Sequence, residues 1–492
     1  MSAPDPSTPR WVHDAIFYQI FPDRFAISPS LPKPNNLEPW DALPTPRGYK
    51  GGDLLGVAEH LDYLQDLGIT AVYFTPIFQS ASNHRYHTHD YYQIDPLLGG
   101  RPAFDTLLRE AHRRGIRVVL DGVFNHASRG FFQFNDILEN EAASPYLDWF
   151  DVKGFPLNAY WGKPNYRAWV GLAALPEFNH ANPQVRRFIF DVARYWVEQG
   201  IDGWRLDVPF CFGGDAFWQE FRAVVKSANP QAYITGEIPW DASQWLKGDQ
   251  FDGVMNYLLT YACWGFFGGN DLDWDLIGHW AREDHGGLWI KPGAEAFAAS
   301  VANLLERYPL PNVQAQLNLL DSHDTARVIS IFKGDKAAFR LAETFLFTYP
   351  GAPCIYYGNE IGMEGGKDPD CRRAFPWDET RWDRDLRAYI QKLAALRRAH
   401  PALRDGSFKV LHAAGDLIIY LRWQGAERIA VALNRGKTPL RLALDLSADL
   451  PGTLALRDLL TGAEVRLQNG CLELDLPAQS ALIGLALAGE GH

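Results

Sequence analysis

Short apolar runs alternate with longer amphipathic runs along most of the chain, and this alternation constrains the fold more than any other feature. The runs AIFYQIF (15–21) and TAVYFTP (70–76) are rich in β-branched and aromatic residues and are short enough for buried strands. Between them, LLGVAEHLDYLQDLG has apolar residues at helical spacing and ends at Gly68, a residue type favoured at helix C-termini. The pattern therefore predicts strand, helix, strand.

This unit recurs until the chain has eight apolar strands. The later strand candidates are IRVVLDGVFNH (116–126), IDGWRLDV (201–208), AYITGEI (232–238), FDGVMNY (251–257), LNLLDSHD (317–324) and PCIYYGNE (353–360). Apolar strands separated by helical patterns indicate a parallel sheet covered by helices. Eight of them predict the α/β class and a closed (β/α)₈ TIM barrel.

Two stretches interrupt this rhythm. Residues 127–183 follow the third strand, are rich in Phe, Asn, Pro and Trp, and have the length of a functional insertion. After about residue 404 the pattern changes to alternating strands, which predict an all-β sandwich. The predicted domains are the barrel (1–126 and 184–403), a small inserted domain (127–183) and a C-terminal sandwich (404–492).

Charge and cysteine usage limit the partners and the compartment. A net charge of −12 disfavours nucleic acid and anionic membrane surfaces, which need clustered Lys and Arg. The five cysteines are scattered and odd in number, as expected of reduced thiols. The start MSAPDPSTPRWVHD has no apolar stretch behind a basic one, and no window has the apolar length of a membrane span. We expect a cytoplasmic protein with neither nucleic-acid nor membrane partners.

Ionisable residues gather where the predicted strands end, which is where barrels of this kind carry their chemistry. These residues are Asp121, Asn125, His126, Arg205, Asp207, Glu237, His323 and Asp324. The motifs of serine nucleophiles, phosphate loops and helical zinc proteases are missing from the sequence. Several carboxylates facing one pocket suit glycoside hydrolysis, which needs one protonated carboxyl group and one ionised one.

The spacing of Arg205 and Asp207 suggests how the two roles are divided. Two residues apart on a strand, both side chains point to the same face, so Arg205 can keep Asp207 ionised. Glu237 has the apolar neighbours Ile234 and Ile238, and desolvation would raise its pKa as a general acid requires.

Four segments resemble, in the same order, the core motifs of the α-amylase superfamily, glycoside hydrolase family 13. They are DGVFNH (121–126), GWRLD (203–207), GEI (236–238) and SHDTAR (322–327). The resemblance implies a barrel, a domain B after the third strand and a C-terminal β-domain. GGDLLGV (51–57) and GGKDPDCRR (365–373) further resemble neopullulanases, cyclomaltodextrinases and maltogenic amylases.

The resemblance also implies residue roles. Asp207 would be the nucleophile, Glu237 the general acid/base, and Asp324 the third carboxylate, which stabilises the transition state. The implied substrate-binding residues are Tyr91, which would stack on the sugar ring, together with His126, Arg205, His323, Asp368 and Arg372.

The chain also departs from these enzymes. They usually carry an N-terminal β-domain of roughly one hundred residues before the barrel, whereas the first predicted barrel strand here begins at residue 15. Phe210 and Cys211 stand where the family commonly has Asn and Glu. Phe210 either is a platform for an incoming glucose or cyclodextrin or only packs against its neighbours, and we favour the platform because it follows the nucleophile candidate at the end of the strand. The calcium loops of the family have no clean equivalent, since only Gly51 and Asp53 resemble that site. No cofactor is required, and calcium is left open.

Two further groups of residues have two interpretations each. His84, His87 and His89 are placed on a substrate-side loop in preference to a metal site. Trp149, Trp161 and Trp169 in the inserted domain either stack on glucan rings or fill a small core.

The leading functional hypothesis is a retaining hydrolase that acts on α-1,4 bonds of cyclodextrins, maltodextrins and pullulan, with α-1,6 bonds left open. The alternatives within the superfamily are a transglycosylase, a general α-amylase and a debranching enzyme. A non-catalytic amylase-fold binding protein is disfavoured because all three carboxylates are present. The sequence does not decide the oligomeric state.

Overall fold

The computed structural model describes residues 8–278, 281 and 289–488. Residues 1–7, on which the expected lack of a secretion signal partly rests, lie outside the described residues. The chain divides into two compact units. The first comprises Met1–Arg10, Phe17–Met255 and Arg372–Trp377, and the second comprises Trp11–Ile16, Asn256–Cys371 and Asp378–His492. The boundaries of these two units differ from those of the predicted domains, so the domain boundaries remain a prediction.

The first unit is built on parallel strands. Its strands are β1 (Phe17–Ile20), β2 (Ala71–Phe74), β3 (Phe78–Ser80), β4 (Thr88–Ile94), β5 (Arg117–Gly122), β6 (Gly203–Leu206), β7 (Tyr233–Gly236) and β8 (Gly253–Val254). Six run in the order β8-β7-β6-β5-β2-β1, while β3 and β4 form an antiparallel pair. Each of the six lies inside a run predicted as a strand. Because Asp121 is paired in register with Arg205, which pairs with Thr235, the carboxyl ends of β5, β6 and β7 lie side by side.

Amphipathic helices accompany these strands. They include Leu54–Glu59, Leu61–Leu67, Gly100–Arg113, Pro183–Glu198 and Asp215–Ala228. The first predicted helix is in fact two, broken at His60, whose Nδ1 lies 2.8 Å from the carbonyl oxygen of Gly56. It ends, as predicted, at Gly68, which adopts a left-handed conformation with φ 92°.

The segment 127–183 has little regular structure. It contains the helix Phe132–Asn140 and the isolated bridges His126–Glu177, Phe150–Phe178, Val152–Tyr166 and Ala168–Pro176. Aromatic side chains provide its core, with Phe131, Phe134 and Phe150 all buried. The bridge at His126 ties this segment directly to the end of β5.

The second unit contains the parallel pair β9 (Leu317–Leu319) and β10 (Ala352–Tyr356). Its helices include Tyr257–Cys263, Ala294–Arg307, Leu310–Gln314, Val328–Ile331, Lys336–Thr348, Arg384–Ala399 and Pro401–Arg404. Antiparallel strands then follow: β11 (Ser407–Ala414), β12 (Leu417–Gln424), β13 (Glu427–Asn434), β14 (Leu440–Asp445), β15 (Thr453–Asp458), β16 (Glu464–Gln468), β17 (Cys471–Leu476) and β18 (Ser480–Ala488). Buried Leu and Ile side chains, such as Ile419, Leu456 and Leu474, form their core.

Candidate active site

One guanidinium group organises the ends of three neighbouring strands. Arg205 on β6 is fully buried, and its Nη1 donates to both carboxylate oxygens of Asp121 (3.0 and 2.9 Å) and to Oδ1 of Asp207 (3.0 Å). Its Nη2 forms an ion pair with Oε2 of Glu237 at 2.8 Å, without the alignment of a hydrogen bond. The structure therefore brings Arg205, Asp207 and Glu237 together, as the strand-end pattern predicted.

The charge of Arg205 is fixed by these neighbours. Burial alone would lower the pKa of the guanidinium, but the facing carboxylates of Asp121 and Glu237 raise it well above its ordinary value. Asp207 and Glu237 are partly open to solvent, with 10% and 15% of their side chains exposed. The site therefore contains a buried guanidinium group that stays charged and two carboxylates that a substrate can reach.

Asp121 is the anchor beneath Arg205. It is buried, and its Oδ2 also accepts hydrogen bonds from the hydroxyl groups of Tyr73 (3.1 Å) and Tyr86 (2.9 Å). Tyr86 is only half-buried, so this contact of Asp121 lies nearer to solvent than the contact from the buried Tyr73. The sequence interpretation missed this tyrosine, although Tyr86 and Tyr91 occur in the same segment, NHRYHTHDYYQIDP.

The stacking role predicted for Tyr91 is wrong. Tyr91 is fully buried, and its hydroxyl group lies 2.9 Å from the carbonyl oxygen of Val123 and 2.8 Å from that of His126. Burial raises the pKa of this phenol well above its ordinary value. A ring enclosed by protein on both faces cannot stack on a sugar. Tyr91 instead stabilises the backbone at Val123 and His126 through its hydroxyl group.

His126 lies in the segment that follows β5, and its ring stacks on that of Trp169, with centroids 6.0 Å apart and planes 14° apart. Burial lowers its pKa to about 3, and its Nε2 has no hydrogen-bond partner among the described residues. The ring is therefore neutral and holds an unused polar atom. The inserted segment contains two further tryptophans that were predicted either to stack on glucan rings or to fill a core. Trp149 is buried in the core of the segment, whereas Trp161 is 86% exposed.

The backbone after the nucleophile candidate is strained. Val208 has φ 37° and ψ 49°, a left-handed conformation that costs a β-branched residue free energy. In this conformation its N–H donates to Oε2 of Glu237 at 3.3 Å. The turn also carries Phe210 to Trp240, with ring centroids 4.4 Å apart. The left-handed conformation of Val208 thus directs a backbone N–H group from the segment after Asp207 toward the carboxyl group of Glu237.

Cys211 follows this aromatic pair as a neutral thiol. Burial and the nearby carboxylate of Glu177 raise its pKa to about 12. Arg372, also in the first unit, lies over the ring of Phe21, with its guanidinium carbon 5.5 Å from the ring centroid.

Three predicted site residues belong to the second unit. His323 is fully buried, and its Nε2 lies 3.1 Å from Oδ2 of Asp324, whose side chain is 41% exposed. The backbone N–H of Asp324 donates to Oγ of Ser322 at 3.2 Å. Asp368 lies in an exposed turn of the same unit.

Among the described residues, no group of three or more His, Cys, Asp or Glu side chains is arranged to hold a metal ion. The rings of His84 and His87 meet edge to face, with centroids 5.0 Å apart. Both residues belong to the loop that carries Tyr86.

Comparison with known proteins gives this arrangement its context. The family model of the alpha amylase catalytic domain matches residues 19–406, and that of the alpha-amylase C-terminal domain matches residues 406–483. A cyclomaltodextrinase from Bacillus sp is 46% identical over 433 residues, covering 87% of this chain and 74% of the relative. Neopullulanase 2 from Thermoactinomyces vulgaris is 43% identical over 483 residues, covering 97% and 78%. A debranching enzyme from Nostoc punctiforme has a solved structure with a TM-score of 0.88 and 48% identity, covering 97% and 99%.

The fold and these matches make the protein a glycoside hydrolase with a (β/α)₈ TIM barrel and a C-terminal β-sandwich, which confirms the predicted fold class. The chain belongs to the α-amylase family. Hydrolysis with retention is general in this family, so the predicted reaction class is confirmed as well. Among the described residues, no helix has both the length and the apolar character needed to cross a membrane.

Proposed function

We propose that this protein hydrolyses short α-glucans, namely cyclodextrins, maltodextrins and pullulan, with Asp207 as the nucleophile and Glu237 as the general acid/base. The observation that carries this proposal is the shared guanidinium of Arg205, which lies 3.0 Å from Asp207 and 2.8 Å from Glu237. Two carboxylates held by one cation at the ends of adjacent strands suit a double displacement across a single anomeric carbon.

In the proposed mechanism, Glu237 protonates the leaving glycosidic oxygen while a carboxylate oxygen of Asp207 attacks the anomeric carbon. This step gives a covalent glucosyl ester and frees a hydroxyl group on the departing sugar, and the new reducing end forms only when the ester is hydrolysed. Glu237, now ionised, then removes a proton from water, and the resulting hydroxide displaces Asp207 from the sugar. Glu237 donates a proton and recovers one from water, and Asp207 supplies the first nucleophile, so the proposal requires no cofactor.

The other predicted residues enter the proposal as substrate contacts. Asp324 acts as the third carboxylate, and His126, Arg205, His323, Asp368 and Arg372 bind or orient the substrate. Tyr86 takes the stacking role first assigned to Tyr91, because it is half-buried and contacts Asp121.

We also propose that the protein works in the cytoplasm, since none of the five cysteines, all of which lie in the described part of the chain, forms a disulfide bond. The Phe210–Trp240 pair favours a second activity, transglycosylation, because an aromatic platform can hold an acceptor sugar in place of water.

Chromatography of the products from γ-cyclodextrin, pullulan and soluble starch at matched enzyme concentration tests the substrate proposal. Faster conversion of cyclodextrin than of starch supports it, and preference for starch contradicts it by indicating an ordinary α-amylase. Release of maltotriose or panose from pullulan distinguishes attack at α-1,6 from attack at α-1,4 bonds. Longer or re-linked oligosaccharides as the main products from maltotriose indicate that the protein is chiefly a transglycosylase.

A further inference from the structure

The loop between β1 and the helix Leu54–Glu59 contains the residues that resemble the calcium site of the family, Gly51 and Asp53. Calcium requires six to eight oxygen ligands, drawn from carboxylates, carbonyl groups and water. Whether the chain suits a calcium ion therefore depends on what the oxygen atoms of this loop contact.

Asp53 is surrounded by nitrogen donors. Its Oδ2 accepts from the ammonium group of Lys33 at 2.6 Å and from the backbone N–H of Ser28 at 3.0 Å. Its Oδ1 accepts from the N–H of Gly56 at 2.6 Å, which caps the following helix. The carboxylate is fully buried, whereas the side chain of Lys33 is 16% exposed. The ammonium group of Lys33 thus already supplies the positive charge that a bound cation would bring to this carboxylate.

A second ammonium group engages the carbonyl oxygens of the loop. The Nζ atom of Lys50 donates to the carbonyl oxygens of Pro39 and Ala42, both at 2.7 Å, and lies 3.5 Å from the carboxylate of Glu38. The side chain of Lys50 is fully buried. Two carbonyl groups and a carboxylate are ligands that a divalent cation would accept, yet here they surround a lysine.

The backbone near Gly51 is held in a similar way. The N–H groups of Lys50 and Gly51 donate to the buried carboxylate of Asp23, at 2.9 and 3.2 Å. The guanidinium group of Arg24 donates to the carbonyl oxygen of Gly48 at 2.8 Å. The carboxylate and carbonyl oxygens of the loop thus already accept hydrogen bonds from ammonium, guanidinium and backbone N–H groups of the same chain. The residues present therefore do not fit a calcium ion.

We propose that the ammonium groups of Lys33 and Lys50 hold this loop in place of a bound calcium ion, so that the protein folds and keeps its stability without calcium. Lys33 neutralises Asp53, which caps the helix Leu54–Glu59. Lys50 donates hydrogen bonds to the carbonyl oxygens of Pro39 and Ala42. This inference does not depend on the proposed substrate.

The test measures the melting temperature of the full chain. In the wild-type protein, the melting temperatures in EDTA, in calcium chloride and in magnesium chloride of equal ionic strength are expected to coincide. A rise specific to calcium would overturn the proposal, and this comparison needs no variant.

Lys33→Met tests the ammonium group itself. It keeps the length of the side chain but leaves the buried Asp53 without its cation, so a fall of several degrees in the melting temperature is expected. Lys33→Arg is expected to recover part of this loss, and the exposed Lys163→Met is the matched control with no change. If Lys33→Met melts with the wild type, Lys33 does not hold the loop and the proposal is wrong.

Discussion

Nη2 of Arg205 lies 2.8 Å from Oε2 of Glu237, and Nη1 of the same guanidinium contacts Asp207. The sequence predicted that apolar neighbours would raise the pKa of Glu237, whereas a guanidinium group this close to a carboxyl group favours the ionised form. Because Arg205 also faces Asp121, its charge is shared among three carboxylates. Asp207 and Asp121 therefore compete with Glu237 for this single guanidinium group.

The first prediction concerns the nucleophile. Asp207→Asn is expected to lower kcat by about 10³-fold or more, because the amide cannot form the glucosyl ester. The fold should persist, since Arg205 keeps Asp121 and Glu237 as counter-charges. Turnover of γ-cyclodextrin and the circular dichroism spectrum measure the two effects. Asp191→Asn, on the exposed face of the helix Pro183–Glu198, is the matched control. Near-normal turnover by Asp207→Asn would refute the mechanism.

The second prediction separates the two tyrosines. Tyr86→Ala is expected to lower kcat/KM about 10- to 100-fold, because it removes a ring at the site and a hydrogen bond to a charged group. Tyr91→Phe should leave kcat/KM unchanged but cost about 1–3 kcal/mol of unfolding free energy, because two buried carbonyl groups lose their donor. Steady-state kinetics and thermal unfolding of both variants measure these effects. An unchanged kcat/KM in Tyr86→Ala would contradict the role proposed for its ring.

The third prediction concerns the acceptor side. Phe210→Ala and Trp240→Ala each remove half of the aromatic pair, and each is expected to lower kcat/KM for maltotriose about 5- to 10-fold. Transfer products should decrease more than hydrolysis products, since water needs no platform. Chromatography of the products over time measures the ratio. Trp161→Ala, which removes an exposed ring of the inserted segment, serves as the comparison. An unchanged ratio in both Phe210→Ala and Trp240→Ala would rule out the platform.

The fourth prediction follows from the pKa of His126, which burial lowers to about 3 from 6.5. Between these values the unfolded chain binds a proton that the folded protein does not, so the contribution of His126 is fully present above about pH 6.5 and is lost as the pH falls toward 3. The shift corresponds to up to about 5 kcal/mol. His126→Asn should flatten this acid decline in melting temperature, whereas His412→Asn on β11 should not. An equal decline in all three proteins would contradict the shift.

Part of the site could be predicted from local spacing. A separation of two residues on a strand places Arg205 and Asp207 on one face whatever surrounds them. Polar residues at the ends of apolar runs likewise mark the carboxyl edge of a parallel sheet. The structure has these residues in contact because β5, β6 and β7 are neighbours in register.

The choice between Tyr86 and Tyr91 could not be made in this way. The pairing of β3 with β4 shifts between Phe78 and Gln79 and again between Gln79 and Ser80, so the alternation of strand faces cannot be extended through the hairpin. The lysines of the loop between β1 and the helix Leu54–Glu59 gave no signal either, because a lysine in an irregular segment is ordinarily a solvated surface charge.

The sequence by itself determined the order of strands and helices and the residues at the strand ends, because these depend on periodicities only a few residues long. The reaction class followed from the carboxylates among those residues and from the resemblance of four motifs to a known family. Only the tertiary structure decided which tyrosine stands at the site, that one guanidinium serves three carboxylates, and that lysines occupy the loop that resembles a calcium site. Those outcomes depend on which side chains burial brings together from distant parts of the chain, where the cost of an unpaired charge selects the partner.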